Sequence, residues 1–248
     1  MSLEIEIRQA TLDDVPEVAV IKHTVWPDEL VDVTQIAKAI QKPTHATHVG
    51  LHANTIIGFI DGFSTYSAQG IHRWEADLLA VHPDYQGHRV GERLVQVSTR
   101  AGSQRGAEVA RGLIRTENIA SQRTFARCAY QPDGPLCDLY VLSGCEHIQD
   151  EILFTRKVHV IPVTTLAYNG CWLEVDFSSD TQSGEYPIHV NNDRHVVGVL
   201  IPIEEKEMYH SIQKAGFVNV GQFQWWTLSL GVLKRSFSSS AKSGRRSL

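Results

Sequence analysis

The sequence predicts an α/β fold in which helices flank a mixed central sheet and a smaller α+β block follows toward the C-terminus. Short apolar runs with strand character alternate with segments of helical periodicity over residues 3–146. Proline, glycine and asparagine separate these segments at positions expected for turns. The following block, residues 155–233, contains further apolar strands and a helical segment that closes on Gly216.

Residues 3–146 contain a regular order of strands and helices. Thr11 precedes Asp13, Asp14 and an apolar periodic segment, which is the usual start of a helix. A second helix is stopped by Pro43, and two later strands meet at a tight turn as an antiparallel hairpin. The predicted elements are strand 5–10, helix 11–26, helix 31–41, strands 47–53, 56–67 and 73–81, helix 89–105, strand 110–116, helix 119–129 and strand 137–144.

The remaining residues are predicted to form a second block and a tail. A linker near 147–155 separates the block, 155–233, from the first domain. The tail, 234–248, is rich in Ser, Lys and Arg and poor in apolar residues, so we expect it to be disordered. The elements expected in the block are strands over 158–177 and 194–203, a helix over 204–216, and one long strand or a hairpin over 217–230.

The composition is that of a globular protein, with 42% hydrophobic and 21% charged residues among 248. The net charge is −5, and five of the 23 Lys and Arg residues lie in the tail, so the rest of the chain is more acidic and nucleic acid is not an expected partner. No secretory signal and no apolar run of about 18 residues is present, so we expect a cytoplasmic protein without a membrane partner. The four cysteines show no C-x-x-C pair and are expected to be reduced thiols: Cys128, Cys137, Cys145 and Cys171.

Residues 78–94 carry the most informative pattern in the chain. An apolar strand is followed by a turn with Pro83 and by a helix start that contains Gly87 and Gly91. The first N–H groups of a helix lack carbonyl partners, and together with the helix dipole they favour a phosphate group. Glycines let a pyrophosphate approach the backbone closely. The pattern therefore predicts a phosphate-binding turn.

This segment resembles the acetyl-CoA signature of the GCN5-related N-acetyltransferase (GNAT) superfamily, which is Arg/Gln-x-x-Gly-x-Gly/Ala after a strand. Arg89 stands where the middle glycine is usual, which narrows the room for backbone approach and adds a cation beside the phosphates. The opening at 8–21 and the hairpin before the motif strand fall in the family's order, as does the series Asn118, Ser121, Phe125 and Tyr130. The resemblance covers roughly residues 3–145. The matching residues of the signature are Gln86, Gly87, His88, Arg89, Val90 and Gly91.

The resemblance implies a site for acetyl-CoA. In this family the motif strand and the next strand diverge, and the pantetheine arm lies between them like a substitute strand. Phe125, which the resemblance also places at the cofactor, occupies the position where many relatives have tyrosine. The other implied contacts are backbone groups of Leu79, Ala80 and Val81 for pantetheine and thioester, residues 86–91 for the pyrophosphate, and the side chain of Asn118 for the cofactor arm.

Transfer to an amine requires a group that accepts a proton, because alkyl ammonium groups are protonated at pH 7. The resemblance points to Glu75 on the motif strand, where several relatives carry their catalytic glutamate. Asp77 has the same side-chain parity and lies nearer to the thioester. One or both could instead be solvated strand residues. Phe125 has no proton to give to the leaving thiolate, so Cys128, Ser121 and water are the candidates for that role.

The hairpin before the motif strand faces the acceptor in this family. Trp74 could equally be a core residue, and His72 with Arg73 a solvated turn. The 12 histidines show no ligand spacing such as H-E-x-x-H, so no metal site is expected. The candidates for the amine pocket are Tyr66, His72, Arg73 and Trp74.

The second block resembles part of the first. Segment 208–228 is similar to the helix and strand that end a GNAT domain. Segment 121–142, earlier in the chain, has the same pattern, so the block could be an incomplete repeat. It has no Q-x-x-G-x-G turn, so a second cofactor is not expected. We consider three roles for it: it extends the sheet, it covers the acceptor side, or it pairs two subunits of a homodimer through the strand around Trp225 and Trp226.

These patterns predict an N-acetyltransferase that moves an acetyl group from acetyl-CoA to an amine of a small molecule or peptide, by direct attack in a ternary complex. The acidic body favours a cationic amine, such as a polyamine, an aminoglycoside or a peptide N-terminus. One alternative is a non-catalytic module that binds or senses acyl-CoA, which Arg89 and Phe125 favour. Another is an assembly protein based on the second block. Glu75 and Asp77, which can transfer protons, favour catalysis.

Overall fold

A computed structural model describes residues 3–143, 152–154, 156–177, 186–188 and 196–231, which form a ten-stranded mixed sheet, a two-stranded sheet and five helices. The strands are β1 (Glu6–Gln9), β2 (His48–His52), β3 (Thr55–Tyr66), β4 (His72–Val81), β5 (Val109–Arg115), β6 (Gln131–Ser143), β7 (Ile152–Phe154), β8 (Val158–Thr164), β9 (Asn169–Val175), β10 (Tyr186–Ile188), β11 (Val196–Pro202) and β12 (Val218–Ser229). The helices are α1 (Val15–Val25), α2 (Val33–Ile40), α3 (Val90–Gln104), α4 (Ile119–Arg127) and α5 (Lys206–Lys214).

The predicted fold class, a mixed central sheet flanked by helices, is confirmed, and the order of elements up to β6 is the predicted one. Local signals explain why these elements begin where they do. The Asp32 carboxylate accepts the N–H of Thr34 at 2.8 Å and so caps α2. The Asn118 side chain caps α4 in the same way, through the N–H of Ser121 at 3.0 Å.

Three details of the sequence prediction differ from the structure. Residues 158–177 form two antiparallel strands, β8 and β9, because 165–168 make a turn in which the Thr165 N–H donates to the carbonyl of Tyr168. The predicted linker near 147–155 contains strand β7, which pairs with β10. β6 begins at Gln131 rather than Cys137, because its first residues pair with β12.

Strand β12 lies inside the sheet, between β5 and β6. It pairs antiparallel with both of them, and the full order is β1-β2-β3-β4-β5-β12-β6-β11-β9-β8. Of the three roles considered for the second block, it therefore extends the sheet. The strand around Trp225 and Trp226 has neighbours on both edges, so these edges do not offer a backbone interface to another subunit. The predicted tail, 234–248, and Cys145 lie outside the described residues.

Helices pack on both faces of this sheet. Helices α1 and α2 cover apolar residues of β2 and β3 on one face, while α3 and α4 cover Trp74 and neighbouring strand residues on the other. Helix α5 packs on a separate cluster from β6, β9 and β11. Trp74 is 0% exposed, and its Nε1 donates to the Ser98 hydroxyl at 3.0 Å, so this tryptophan is a core residue rather than a pocket residue.

Four charged side chains connect distant strands, and we call them the ion network: Arg73, Glu75, Arg111 and Glu174. The Glu75 carboxylate is 2% exposed and accepts Arg111 Nε at 2.8 Å, the Thr65 hydroxyl, and a longer contact from Arg73 Nε at 3.7 Å. Glu174 on β9 accepts Arg73 Nη1 at 2.8 Å and Arg111 Nη2 at 2.9 Å. Burial raises the pKa of Glu174, but the two arginines outweigh it and the net shift is downward.

We expect Arg111→Met to lower the free energy of unfolding by about 3–5 kcal/mol, because it leaves the Glu75 carboxylate buried beside an incomplete set of cations. Methionine keeps the apolar stem beside the Trp225 ring, over which the guanidinium now lies at 3.9 Å. Urea unfolding at pH 7 measures the loss. The control is Arg115→Met on the same strand, an exposed residue whose guanidinium lies over Phe223. It should lose about 1 kcal/mol or less. Equal losses in both variants would contradict the role of the ion network.

Candidate functional site

Strands β4 and β5 diverge at one end. They pair in parallel through three residues each, and the last pair joins Glu75 to Arg111. Beyond it, residues 76–81 have no partner on the β5 side in the described part of the chain, while β5 continues along β12 as far as Arg115. The divergence that the sequence resemblance implied is therefore present. It leaves the β5-facing edge of Leu79, Ala80 and Val81 without a strand partner.

A β-bulge at Leu78 bends β4 at this point. Asp77 pairs with Asp61 and Ala80 pairs with Phe59, so that two residues of β4 face one of β3. Leu78 adopts a positive φ of 42°, which is unusual for a residue with a side chain. Bulges of this kind re-aim side chains and backbone groups, and they concentrate near functional sites.

The glycine turn follows β4 and leads into α3. Gly87 has a φ of 81°, and Arg89, at the N-cap of α3, has a φ of 61°. Arg89 thus holds the left-handed conformation that glycine adopts easily, at the position where the family signature has glycine. The backbone N–H of Gln86 donates to Pro83 and that of Arg93 donates to Arg89. Between them, in this described segment, no N–H group donates to a backbone carbonyl, so residues 87–92 present free donors at the start of a helix.

Other residues predicted at the cofactor have structural partners. The Gln86 side chain donates through Nε2 to the carbonyl of Val81 at 3.2 Å, which fastens the turn to β4. Asn118 uses its side-chain oxygen to cap α4. Phe125 is buried, and a Cβ at Gly112 would lie 2.6 Å from its ring, so the phenyl group rests on the β5 backbone at the divergence. The glycine at this position makes that contact possible.

The candidates for a proton donor near α4 are engaged elsewhere. Burial raises the pKa of Cys128 to about 11, and its thiol donates to the carbonyl of Glu92 at 3.4 Å. Burial likewise raises the pKa of Tyr130 to about 12, and its hydroxyl is hydrogen-bonded to that of Thr99 at 2.7 Å. Tyr130 also meets the edge of Phe125 with ring centroids 4.9 Å apart.

Asp77 is the carboxylate at the bulge. Burial, the negative charge of Asp61 and that of Glu75 raise its pKa to about 7, although a hydrogen bond from the Leu78 N–H opposes the shift. Asp61 is fully buried on β3, where it accepts the Thr47 hydroxyl at 2.8 Å and contacts His45 Nδ1 at 3.2 Å. No described basic side chain forms a salt bridge with Asp77. No described salt bridge therefore opposes the upward shift of its pKa.

A cavity of about 650 Å³ opens beside this divergence. Asp77, Glu75 and Arg111 line it on the β4–β5 side. Opposite them, β6, β9, β11 and β12 contribute mainly apolar side chains. The β8–β9 turn adds Tyr168, whose hydroxyl accepts Trp172 Nε1 at 2.8 Å. Burial and the charge of Asp77 raise the pKa of Tyr168.

Sequence reasoning missed Tyr168 and Trp172, because neither belongs to a recognisable motif and both come from a strand pair about 90 residues along the chain from β4. The residues proposed for the hairpin next to β4 have other roles. Tyr66 is 55% exposed and stacks on His72. Arg73 belongs to the ion network.

No group of three or more His, Cys, Asp and Glu side chains among the described residues could hold a metal ion. No helix among the described residues has the length and apolar character needed to cross a membrane.

The chain is similar to known proteins in sequence and in fold. Residues 9–130 match the model of the Acetyltransferase (GNAT) family. A comparison of the sequence with curated proteins finds no match. Many solved structures share the fold, and three of them cover 92% of this chain at 9–14% identity, a level that shows the fold alone.

The first of these is a putative acetyltransferase from Salmonella typhimurium, solved with acetyl-CoA, with a TM-score of 0.51, 14% identity and 94% of its own length covered. The second is a tandem GNAT protein from the clavulanic acid biosynthesis pathway, with a TM-score of 0.57, 9% identity and 99% covered. The third is a fungal multi-domain β-N-acetylglucosaminidase with a glucosamine N-acetyltransferase region, with a TM-score of 0.60, 9% identity and 38% covered.

The range matched by the family model contains β4, the glycine turn and α3, the elements that form the divergence and the free N–H groups. Residues 9–130 are therefore the part of the chain that belongs to the acetyltransferase (GNAT) family.

Proposed function

We propose that the protein is an N-acetyltransferase that moves the acetyl group of acetyl-CoA to an amine of a small molecule or peptide, by direct attack in a ternary complex. The observation that carries this proposal is the divergence of β4 and β5, which has free N–H donors at one end and Asp77 at the other. Three features thus lie along a single path: N–H donors that can bind a phosphate group, a strand edge without a partner, and a carboxylate that can act as a base. A cytoplasmic location and a homodimer, both expected from the sequence, stay predictions.

The residues at this path fit acetyl-CoA. The free N–H groups of the glycine turn at 86–91 would hold the pyrophosphate, and the Arg89 guanidinium adds positive charge there. The open edge of Leu79, Ala80 and Val81 would bond the pantetheine arm as a strand would. Two further residues flank the same path: Asn118 at the start of α4, and Phe125 beside Gly112. Bound acetyl-CoA supplies an activated thioester, and the remaining chemistry is deprotonation of the amine.

Of the two carboxylates predicted as bases, the contacts favour Asp77. Its pKa of about 7 lets it accept a proton at neutral pH and still release it afterwards. Glu75 bonds to Arg111 and to the Thr65 hydroxyl, so proton uptake would break the ion network. We assign Glu75 a positioning role: it holds Arg111 at the last paired residues of β4 and β5, where the divergence begins.

The sheet order supports an incomplete repeat for the second block. β3 and β4 are antiparallel and β4 and β5 parallel; β8 and β9 are likewise antiparallel and β9 and β11 parallel. Each set then pairs with the final strand of the other: β12 lies beside β5, and β6 beside β11. We propose that the two halves are related by duplication and have exchanged their final strands. The domain limits 3–146, 155–233 and 234–248 stay predictions.

The alternative, a module that binds acyl-CoA without catalysis, is favoured by Phe125, which has no hydroxyl to protonate the leaving thiolate. The release of free thiol on incubation with acetyl-CoA and an amine panel separates the two functions. Thiol release that requires the amine supports the enzyme. Tight binding without amine-dependent release supports the module.

We expect Gly87→Val to weaken acetyl-CoA binding by at least about 10-fold, because a β-branched residue disfavours the positive φ that aims the free N–H groups at one point. Gly91→Asp, which adds a negative charge next to the phosphates, should act in the same direction. Isothermal titration calorimetry measures the affinity. Gly106→Val is the matched control, since Gly106 has a φ of 84° against 81° for Gly87, and an added Cβ meets nothing within 4 Å at either position. A control that loses as much affinity would refute the assignment of the turn.

We expect Asp77→Asn to lower turnover by about 10²-fold or more with little change in acetyl-CoA affinity. A base must be unprotonated to act, so the rate of the unmodified protein should rise with pH up to about 7, the pKa of Asp77, and then level off. The asparagine variant should lose this inflection. Glu75→Gln should keep it, even if the rate falls. The opposite pattern, in which Glu75→Gln abolishes the inflection and Asp77→Asn retains it, would identify Glu75 as the base.

A further inference from the structure

The cavity beside Asp77 has apolar walls that the packed core does not use. Leu113, Leu139, Leu200, Phe223 and Trp225 line it from β5, β6, β11 and β12, and all five are half-buried. None of them belongs to the core clusters formed by the described residues. Their apolar surface faces the cavity, so a ligand that covers this surface gains the hydrophobic contribution that the fold itself leaves unused.

The charged side chains that line the cavity are paired with opposite charges, except for Asp77. Glu75, Arg111 and Glu174 line the cavity, but they are bonded to one another within the ion network. Glu29, at the rim, is paired with Lys22 at 2.8 Å. Asp77 is the carboxylate without a described salt bridge, so the cavity attracts a single positive charge at that end. Further ammonium or hydroxyl groups on the ligand would be buried against apolar walls without partners.

The size of the cavity sets the size of the ligand. About 650 Å³ lies within the ~300–1,000 Å³ that holds a drug-sized molecule, and it exceeds what a small amine can fill. We infer that the acceptor is a primary amine attached to a large aliphatic or aromatic body, with the amine at Asp77 and the body between Leu139, Leu200 and Trp225. This inference deepens the proposed acetyl transfer and rests on it. It opposes the preference for polyamines or aminoglycosides that the acidic composition alone suggested.

Linear alkylamines from propylamine to decylamine test the inference, with spermidine and kanamycin as polar competitors. We expect kcat/KM to rise about fourfold for each added CH2 group until the cavity is filled, the factor expected for burial of one methylene. The two polar amines should fall below hexylamine. A flat series, or a preference for spermidine or kanamycin, would overturn the inference while acetyl transfer itself stood.

Direct binding separates failure of this inference from failure of the proposed function. Calorimetry with the alkylamine series and the protein loaded with CoA, which has no acetyl group to transfer, should show affinity that grows with chain length. If the amines bind in this order but no thiol is released, the cavity assignment stands and catalysis fails. If the amine series is flat and octanoyl-CoA is preferred to acetyl-CoA as donor, the cavity holds an acyl chain and the inference is wrong.

Two matched variants test whether the cavity wall causes the dependence of kcat/KM on chain length. Leu139→Asn puts a polar amide on the wall, whereas Leu136→Asn makes the same change three positions earlier on β6, at an exposed residue outside the cavity. We expect Leu139→Asn to lower kcat/KM for decylamine at least about 10-fold more than kcat/KM for propylamine, with no effect on either from Leu136→Asn. Equal behaviour of the two variants would overturn the inference.

If Leu139→Asn does not fold, Gly198→Val on β11 provides the second test. A Cβ at Gly198 would lie 3.7 Å from Trp172 and 3.8 Å from Leu139, which is ordinary contact, so the valine methyl groups extend into the cavity. This variant should shorten the chain length at which the alkylamine series levels off. An unchanged series in the folded variant would count against the cavity as the acceptor site.

Discussion

The Glu75–Arg111 pair is the interaction on which the site depends. It is both the last backbone pair between β4 and β5 and a buried salt bridge across them. On one side of it the two strands belong to one continuous sheet, and on the other side they separate. Because Glu174 of β9 bonds to Arg111 as well, the same pair fastens the second half of the chain to the point where the strands part. The ion network thus stabilises both the divergence of β4 and β5 and the position of β9 next to it.

Separation of β4 from β5 is tolerated because each strand keeps another partner. β4 remains bonded to β3 through a bulge, and β5 gains β12 along its other edge. The bulge turns the strand at Leu78, and Asp77 directly before it comes to lie beside the buried Asp61. The bulge therefore directly follows a carboxylate whose pKa is raised by burial and by the charge of Asp61.

Local patterns were enough to predict the elements up to β6 and the glycine turn, since helix starts, turns and strand alternation depend on neighbouring residues. The resemblance pointed first to Glu75, but side-chain parity could not decide between Glu75 and Asp77. Both lie on the same side of β4 and both line the cavity, and they differ only in their partners from other strands. Arg111 and Glu174 are far from Glu75 in the sequence, so no spacing rule connects them. The position of β12, and the arrival of Tyr168 and Trp172 opposite Asp77, depend in the same way on long-range pairing.

The position of β12 between β5 and β6 also affects how the protein folds during its synthesis. Synthesis proceeds from the N-terminus, so β5 and β6 leave the exit tunnel well before the strand that will lie between them. Until Val218 and the residues after it emerge, each has an unpaired edge, the kind of surface at which nascent chains associate wrongly or recruit chaperones. The half that carries the glycine turn therefore completes its sheet only after β12 has been synthesised, although β12 contributes nothing to the turn itself.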